Sequence, residues 1–379
     1  MREMSLQAPR VFIDPEESQY SQNRRMFQGI AGIERADNGR LWVSYMSGST
    51  GEGSPANYVL LITSDDDGKT WSGLKLVVDM PDSKVRLADP CLWIDPTGTM
   101  WFFWRQAYQP WVHGGVWAMT AENPEDADPV WSEPRRLCEG GMLNKPVVLS
   151  NNDWLFPVKA FQDNLHISAW ETGMKPTVGE AIVVMSTNDR GNTFTIRGSA
   201  YISDELGTIH VSEPMMVERK DGTLWMLVRT GFGIGETVSA DKGNTWTPVR
   251  PHDHIRHTGS RFFFRRLNSG NLLLVKHGRI DERTAREHLT AFISTDDGQT
   301  WKGGLMLDER HVSYPDGIQA PDGRIYVIYD HGRYPGTPRE LLMAVFTEDD
   351  VLAGTPSPET RLKTVVSKAL EPLCDQKVP

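Results

Sequence analysis

One eight-residue phrase recurs along the chain: SDDDGKTW from Ser64 to Trp71, TNDRGNTF from Thr187 to Phe194, SADKGNTW from Ser239 to Trp246 and STDDGQTW from Ser294 to Trp301. The copies opened by Thr187, Ser239 and Ser294 lie about fifty residues apart, and the step from Ser64 to Thr187 is about double that. A degenerate copy therefore belongs between them, where the chain reads TAENPEDADPVWSEP from Thr120, with Trp131 in the tryptophan place. A second degenerate copy, FTEDDVLAG, has its threonine, Thr347, one further interval beyond Ser294. Six units of this length cannot each bury an apolar face alone, so they must stack or close into a ring.

Within each unit a short apolar strand, a polar turn and a second, strongly apolar strand precede the phrase. GIERADNGRLWVSY, CLWIDPTGTMWFFW, MMVERKDGTLWMLV and GIQAPDGRIYVIY are examples. Asn-Gly and Asp-Gly between such runs are hairpin signals, because these residues accept positive φ at low cost. A third strand (YVLLIT, GVWAMT, AIVVMS, LTAFIS, LMAVFT) leads into the phrase and a fourth follows it. Four antiparallel strands repeated six times describe an all-β fold, a six-bladed β-propeller, as a single domain over residues 1–379. The N-terminal run RVFID is expected to complete the last blade beside the C-terminal strand. The 13 tryptophans, 34 glycines and 24 prolines suit such a turn-rich β protein.

The phrase itself reads as a corner between third and fourth strands. Its aspartate can accept backbone N–H groups, its glycine permits a tight bend, and its aromatic residue packs between blades. A calcium loop would need a glutamate at the twelfth position, where Leu74 and Gly304 stand in two copies.

Net charge is −10, from 40 basic and 50 acidic side chains, which argues against nucleic acid and anionic membrane surfaces as partners. The three cysteines show no paired spacing, and no HExxH, clustered Cys/His or GxxxxGK[ST] motif implies a metal or other cofactor. GFGIGE resembles a dinucleotide fingerprint but falls in a blade loop. No apolar leader or membrane span is present, so the chain as given is expected to be cytoplasmic, or periplasmic or secreted if a signal peptide has been removed.

If the octapeptides mark the bottom of the ring, first-strand starts and second-strand ends meet at the top. The starts bring Arg25, Asp89, Lys145, Glu213, Arg261, Tyr314 and Asp316. The ends and following loops bring Glu52, Arg105, Lys159, Arg229, Lys276, His277, Asp330, His331 and Arg333. A globally acidic chain thus directs cations from five or six blades to one mouth, which points to an anionic ligand.

S-x-D-x-G-x-T-W on a six-fold repeat resembles the Asp-box of the sialidase (neuraminidase) superfamily over nearly the whole chain. The resemblance implies a tyrosine nucleophile, Tyr314 in SYPDG, with Glu213 taking its proton. It implies substrate-carboxylate arginines at Arg229, Arg261 and Arg24 or Arg25. The pattern departs from the family in two places. The first-blade Arg-Ile-Pro is absent, the run being Arg25-Met26-Phe27-Gln28-Gly29. The loop after Arg105 and Gln106 carries no aspartate, so Glu52, Asp89 or His113 is left as proton donor.

The expected activity is an exo-acting glycoside hydrolase on an acidic or unusual glycan terminus. Arg25, Arg105, Lys145, Arg229, Arg261, Asp316, His277, His331 and Arg333 would bind the substrate. Two alternatives stand beside it. One is a polysaccharide lyase acting on a uronate, with Tyr314 working with His113, His277 or His331. The other is a non-catalytic carbohydrate-binding propeller.

Overall fold

The computed structural model describes residues 2–15, 19–48, 51–80, 84–108, 112–160, 180–202, 206, 211–333 and 337–370. Six antiparallel sheets succeed one another along the chain, five of them built from four consecutive strands in sequence order and the first from four such strands and an added outer one. The first strands are Phe27–Arg35, Val85–Ile94, Val147–Val148, Val211–Glu218, Phe263–Arg266 and Val312–Gln319. They touch their counterparts in neighbouring blades, which places them round the axis of a six-bladed β-propeller.

Apolar residues fill the wedges between blades. One cluster joins Trp42 and Met46 of blade one to Phe102 and Trp104 of blade two. Another joins Trp93 and Phe103 of blade two to Phe156 and Val183 of blade three. Trp225 of blade four packs edge-on against Phe264 of blade five at 5.1 Å. Trp42, Trp104 and Trp225 are fully buried, and truncating any of them would cost about 3–5 kcal/mol.

All four octapeptides lie between third and fourth strands, with one hydrogen-bond scheme. In the third complete copy, Ser239 Oγ accepts from Gly243 N at 2.8 Å and donates to Asp241 Oδ1 at 2.8 Å. Asp241 in turn accepts from Thr245 N at 2.8 Å and Thr245 Oγ1 at 2.6 Å. The box glycines are left-handed and lean on the preceding blade. A Cβ on Gly298 (φ 96°) would meet the Trp225 ring at 2.3 Å, and one on Gly191 the Trp101 ring at 2.4 Å. The degenerate copy at Thr347 keeps its place but folds as a short helix, Glu348–Ala353, closed by a capping box between Thr347 and Asp350.

Two expectations are corrected. Arg10–Ile13 pairs with Leu76–Asp79 and adds a fifth strand to blade one, not to the last blade. The outer position of blade six is already held by Arg361–Lys368, so no vacancy exists there. The ring closes instead through Gln28, whose Nε2 donates to Arg339 O at 3.0 Å and to Ser367 O at 2.9 Å, and through the backbone, where Leu370 N donates to Arg25 O at 2.9 Å. GFGIGE is likewise no simple loop, since Gly233–Ser239 forms the third strand of blade four.

Candidate active site

Four first strands share one irregularity. Between Gly29 and Gly32, Ala88 and Cys91, Ser212 and Met215, and Ser313 and Asp316, the inner strand advances one residue further than its partner. Each bulge holds a non-glycine residue in the left-handed region: Ile30 (φ 54°), Asp89 (55°), Glu213 (53°) and Tyr314 (56°). That conformation costs roughly 1–2 kcal/mol per residue, and a bulge re-aims the side chain it carries. Pro90, Pro214 and Pro315 follow three of the four, where the interrupted ladder needs no N–H.

The bulges point Asp89, Glu213 and Tyr314 into one pocket of ≈ 330 Å³, whose other charged walls are Glu52, Arg105, Lys159, Arg229 and Arg286. Tyr314 is the pivot. Arg229 Nη1 donates to Tyr314 Oη at 3.1 Å and to Glu213 Oε1 at 2.6 Å. Glu213 Oε2 is buried and has no hydrogen-bond partner among the described residues. Burial, and then the Glu213 charge, push the Tyr314 hydroxyl well above its usual pKa, so the phenol is neutral. Because Arg229 already donates to Oη, the hydroxyl hydrogen is free to turn to a carboxylate.

A second arm comes from blade six. Arg333 spans Asp330 bidentately at 2.8 and 2.7 Å, donates to Glu52 Oε2 at 2.6 Å, and lies 4.1 Å over the Tyr314 ring. Asp330 Oδ2 accepts from Ile30 N at 2.9 Å. A Cβ on Gly29 would fall 2.9 Å from that oxygen and 3.3 Å from Arg333 Nη2, so blade one offers no room for a cation there. Arg286 stands 5.9 Å from the Tyr314 ring and donates to Ser313 Oγ at 3.4 Å. It lies in the loop between the second and third strands of blade five, a top-face loop whose charge was the available signal. Arg261, which the family resemblance implies for this role, does not line the pocket.

Arg105 and Lys159 form the opposite wall. Arg105 Nη1 lies 3.8 Å from Asp89 Oδ2. Burial lowers Arg105 to about 10, and burial followed by the Arg105 charge lowers Lys159 to about 8.

Several expected site residues belong to the hub or the wedges. Lys145 does not face the mouth. Its Nζ ties three blades together through Ile33 O at 2.7 Å, Leu92 O at 2.6 Å, Glu34 at 3.2 Å and Asp316 at 3.4 Å. Arg261, 1% exposed, donates to Asn144 Oδ1 at 2.8 Å and Asp316 Oδ1 at 3.2 Å, so Arg261 and Asp316 brace the axis. No bulge turns Lys145 or Arg261 upward, which is why they point inward. Arg25 is buried against Tyr45, with Nη1 2.7 Å from its hydroxyl. His277 donates Nε2–H to Val312 O at 2.8 Å, from blade five across to blade six, and His331 lies 3.3 Å from Glu340. Lys276 Nζ caps the carbonyls of Gly278 and Glu282. The side chain of His113 lies outside the described residues, as does Cys374; Cys91 and Cys138 are free and buried. Among the described residues no group of His, Cys, Asp and Glu side chains converges as a metal cage.

Among the described residues the mouth thus gathers five cations (Arg105, Lys159, Arg229, Arg286, Arg333), one from each of blades two to six, and four carboxylates (Glu52, Asp89, Glu213, Asp330). A propeller with an arginine-linked Tyr/Glu pair at its top is the class that fold and site define. The model of the BNR repeat-like domain matches residues 39–327, and the chain belongs to that family, within the sialidase superfamily. A sialidase of Micromonospora viridifaciens is 22% identical over 326 residues, covering 80% of this chain and 50% of its own length. This chain therefore spans half of that curated relative. Among solved structures, the intramolecular trans-sialidase of Ruminococcus gnavus superposes with a TM-score of 0.67 at 13% identity, covering 91% of this chain and 98% of its own. A protein of unknown function from Dyadobacter fermentans gives 0.64 at 16% identity, covering 89% and 98%. These likenesses carry the fold.

Proposed function

We propose that the propeller is an exo-acting glycoside hydrolase of sialidase type, working on a carboxylate-bearing sugar terminus by a retaining route. The observation that carries this reading is the single guanidinium nitrogen, Arg229 Nη1, that holds both Tyr314 Oη and Glu213 Oε1. A neutral phenol at its usual pKa is a poor nucleophile and needs an adjacent base. As Tyr314 Oη bonds to the anomeric carbon, its proton passes to Glu213, whose Oε2 has room for it. The glycosidic C–O bond breaks and the leaving oxygen takes a proton from Glu52. A water then gives its proton back to Glu52, attacks the anomeric carbon and releases Tyr314, which recovers its proton from Glu213. Tyrosine in this role is the sialidase exception among glycosidases.

Glu52 suits the proton-donor role because it is the most open acid of the wall. Its side chain is 32% exposed, against 20% for Asp89 and 9% for Glu213, and a leaving aglycone exits towards solvent. Arg286 and Arg229, beside Tyr314, would hold the carboxylate. Of the three histidines of the lyase alternative, His277 and His331 stand away from the pocket and lend it no support, while the side chain of His113 lies outside the described residues. The test is the kinetics of Tyr314→Phe on aryl glycosides of sugar acids. A fall in kcat of about 10³-fold is expected from the loss of nucleophilic catalysis. Full activity in that variant, or a product with new ultraviolet absorbance in place of a reducing sugar, refutes the assignment.

A further inference from the structure

A cavity of ≈ 320 Å³ lies at the other end of the axis, between the first strands of blades three, four and five. All the residues of its wall are among the described ones, and it shares none with the pocket at Tyr314. Two of them mark the octapeptide end. Arg266 pairs with Asp297 in STDDGQTW, and Glu218 pairs with Lys242 in SADKGNTW. Towards the mouth the cavity stops at Asn144, Lys145 and Asp316, the network that braces the hub. The body of the wall is apolar, from Trp93, Val147, Met215, Val217 and Phe263. Its charges are paired, with one exception. Lys145 is held by Glu34 and Asp316, Asp316 also by Arg261, Glu218 by Lys242 and Arg266 by Asp297. Arg265, half-buried on the first strand of blade five, has neither ion pair nor hydrogen bond among the described residues. Its charge lies close enough to oppose that of Lys145. Trp93, 3% exposed, brings an indole N–H that likewise has no partner among the described residues.

We propose that this axial cavity is a second ligand site, for a small amphiphilic carboxylate whose apolar ring lies against the apolar wall and whose carboxylate binds Arg265. The class follows from what the wall leaves unmatched. Its two side-chain polar groups without partners are both donors, so the ligand brings an acceptor. A guanidinium takes a carboxylate through two parallel bonds, and one unpaired cation matches one negative charge. The volume is at the small end of ligand cavities, with room for a single ring and none for a glycan chain. The site stands whether or not the glycosidase reading does, because the two cavities have no residue in common.

The experiment is titration calorimetry of the full chain with phenylacetate, with phenylacetamide, which lacks the charge, and with acetate, which lacks the ring. Phenylacetate should bind about tenfold or more tighter than either. Arg265→Met should bring the preference over the amide to within about twofold, and Arg265→Lys should restore part of it. Arg265 braces no other residue, so the Tm of Arg265→Met should match wild type, and a lost preference is then a lost contact and not a lost fold. Arg286→Met serves as the control for the catalytic pocket and should leave phenylacetate binding unchanged. Binding that Arg286→Met abolishes and Arg265→Met keeps places the anion at the mouth and overturns the axial site. Equal affinity for phenylacetate and its amide in wild type, or no saturable binding at millimolar concentration, overturns it as well.

Discussion

Acid should unfold this propeller through two imidazoles at the root of blade five. His257 and His277 stack at 5.3 Å between ring centroids, both are essentially without solvent exposure, and Lys276 adds a positive charge close by. Burial depresses both groups, His257 well below its usual value with His277 and Lys276 adding to it, and His277 to about 3 despite its bond to Val312 O, with Arg286 and Lys276 adding to it. The Nε2–H of His277 donates to Val312 O, two residues before Tyr314, so the neutral tautomer also anchors the strand that carries the pivot.

The sign depends on which state binds the proton. Above pH of about 6.5 both folded and unfolded imidazoles are neutral, and this pair adds no pH dependence. Below it the unfolded chain takes up protons that the native state refuses, and stability falls until the folded value is reached. Each imidazole contributes about 1.4 kcal/mol per pH unit. Between pH 6.5 and 5 that is about 2 kcal/mol each and about 4 for the pair, a large part of a typical domain's stability. Carboxylates have hardly begun to titrate in this window. Urea unfolding followed by tryptophan fluorescence at several pH values measures the slope. The double variant His257→Gln/His277→Gln should flatten it by up to about 2.7 kcal/mol per pH unit. An unchanged slope in the double variant refutes the assignment of acid lability to this pair.

Three further outcomes follow from the same geometry. Ser294→Ala removes the acceptor for Gly298 N, and should cost about 1 kcal/mol in urea unfolding while kcat stays as in wild type, because the corner lies on the opposite face from the pocket. Lys145→Met leaves Glu34 buried without its cation and takes one of two cations from Asp316, which keeps Arg261, and should cost about 3–5 kcal/mol, seen as a lowered Tm. Glu213→Gln keeps the shape of the pair but removes the proton acceptor; kcat should fall about 10²-fold or more, with little change in Tm.

The ring, the number of blades and the orientation of each blade were legible in the sequence, because a repeated octapeptide with one internal hydrogen-bond scheme needs no distant partner. Asp89, Glu213 and Tyr314 were legible for a related reason. Each precedes a proline at the start of a first strand, and the bulge that turns it upward is a local event. Arg105, Arg229, Glu52 and Arg333 followed from their places at strand ends and in top-face loops.

What the sequence could not decide is the direction of a long side chain at the same kind of position. Lys145 also precedes a proline and Arg261 also opens a first strand, yet without a left-handed residue both turn to the axis, where Asp316 and the carbonyls of Ile33 and Leu92 from other blades receive them. Arg286 reaches Tyr314 only because two blades meet at the mouth, and Arg333 stands before Gly29 only because the last blade closes on the first. Local backbone chemistry determines the propeller and which end is its top. Which charges brace the hub and which face the pocket is settled by contacts between residues remote in the chain, and those exist only once the ring has closed.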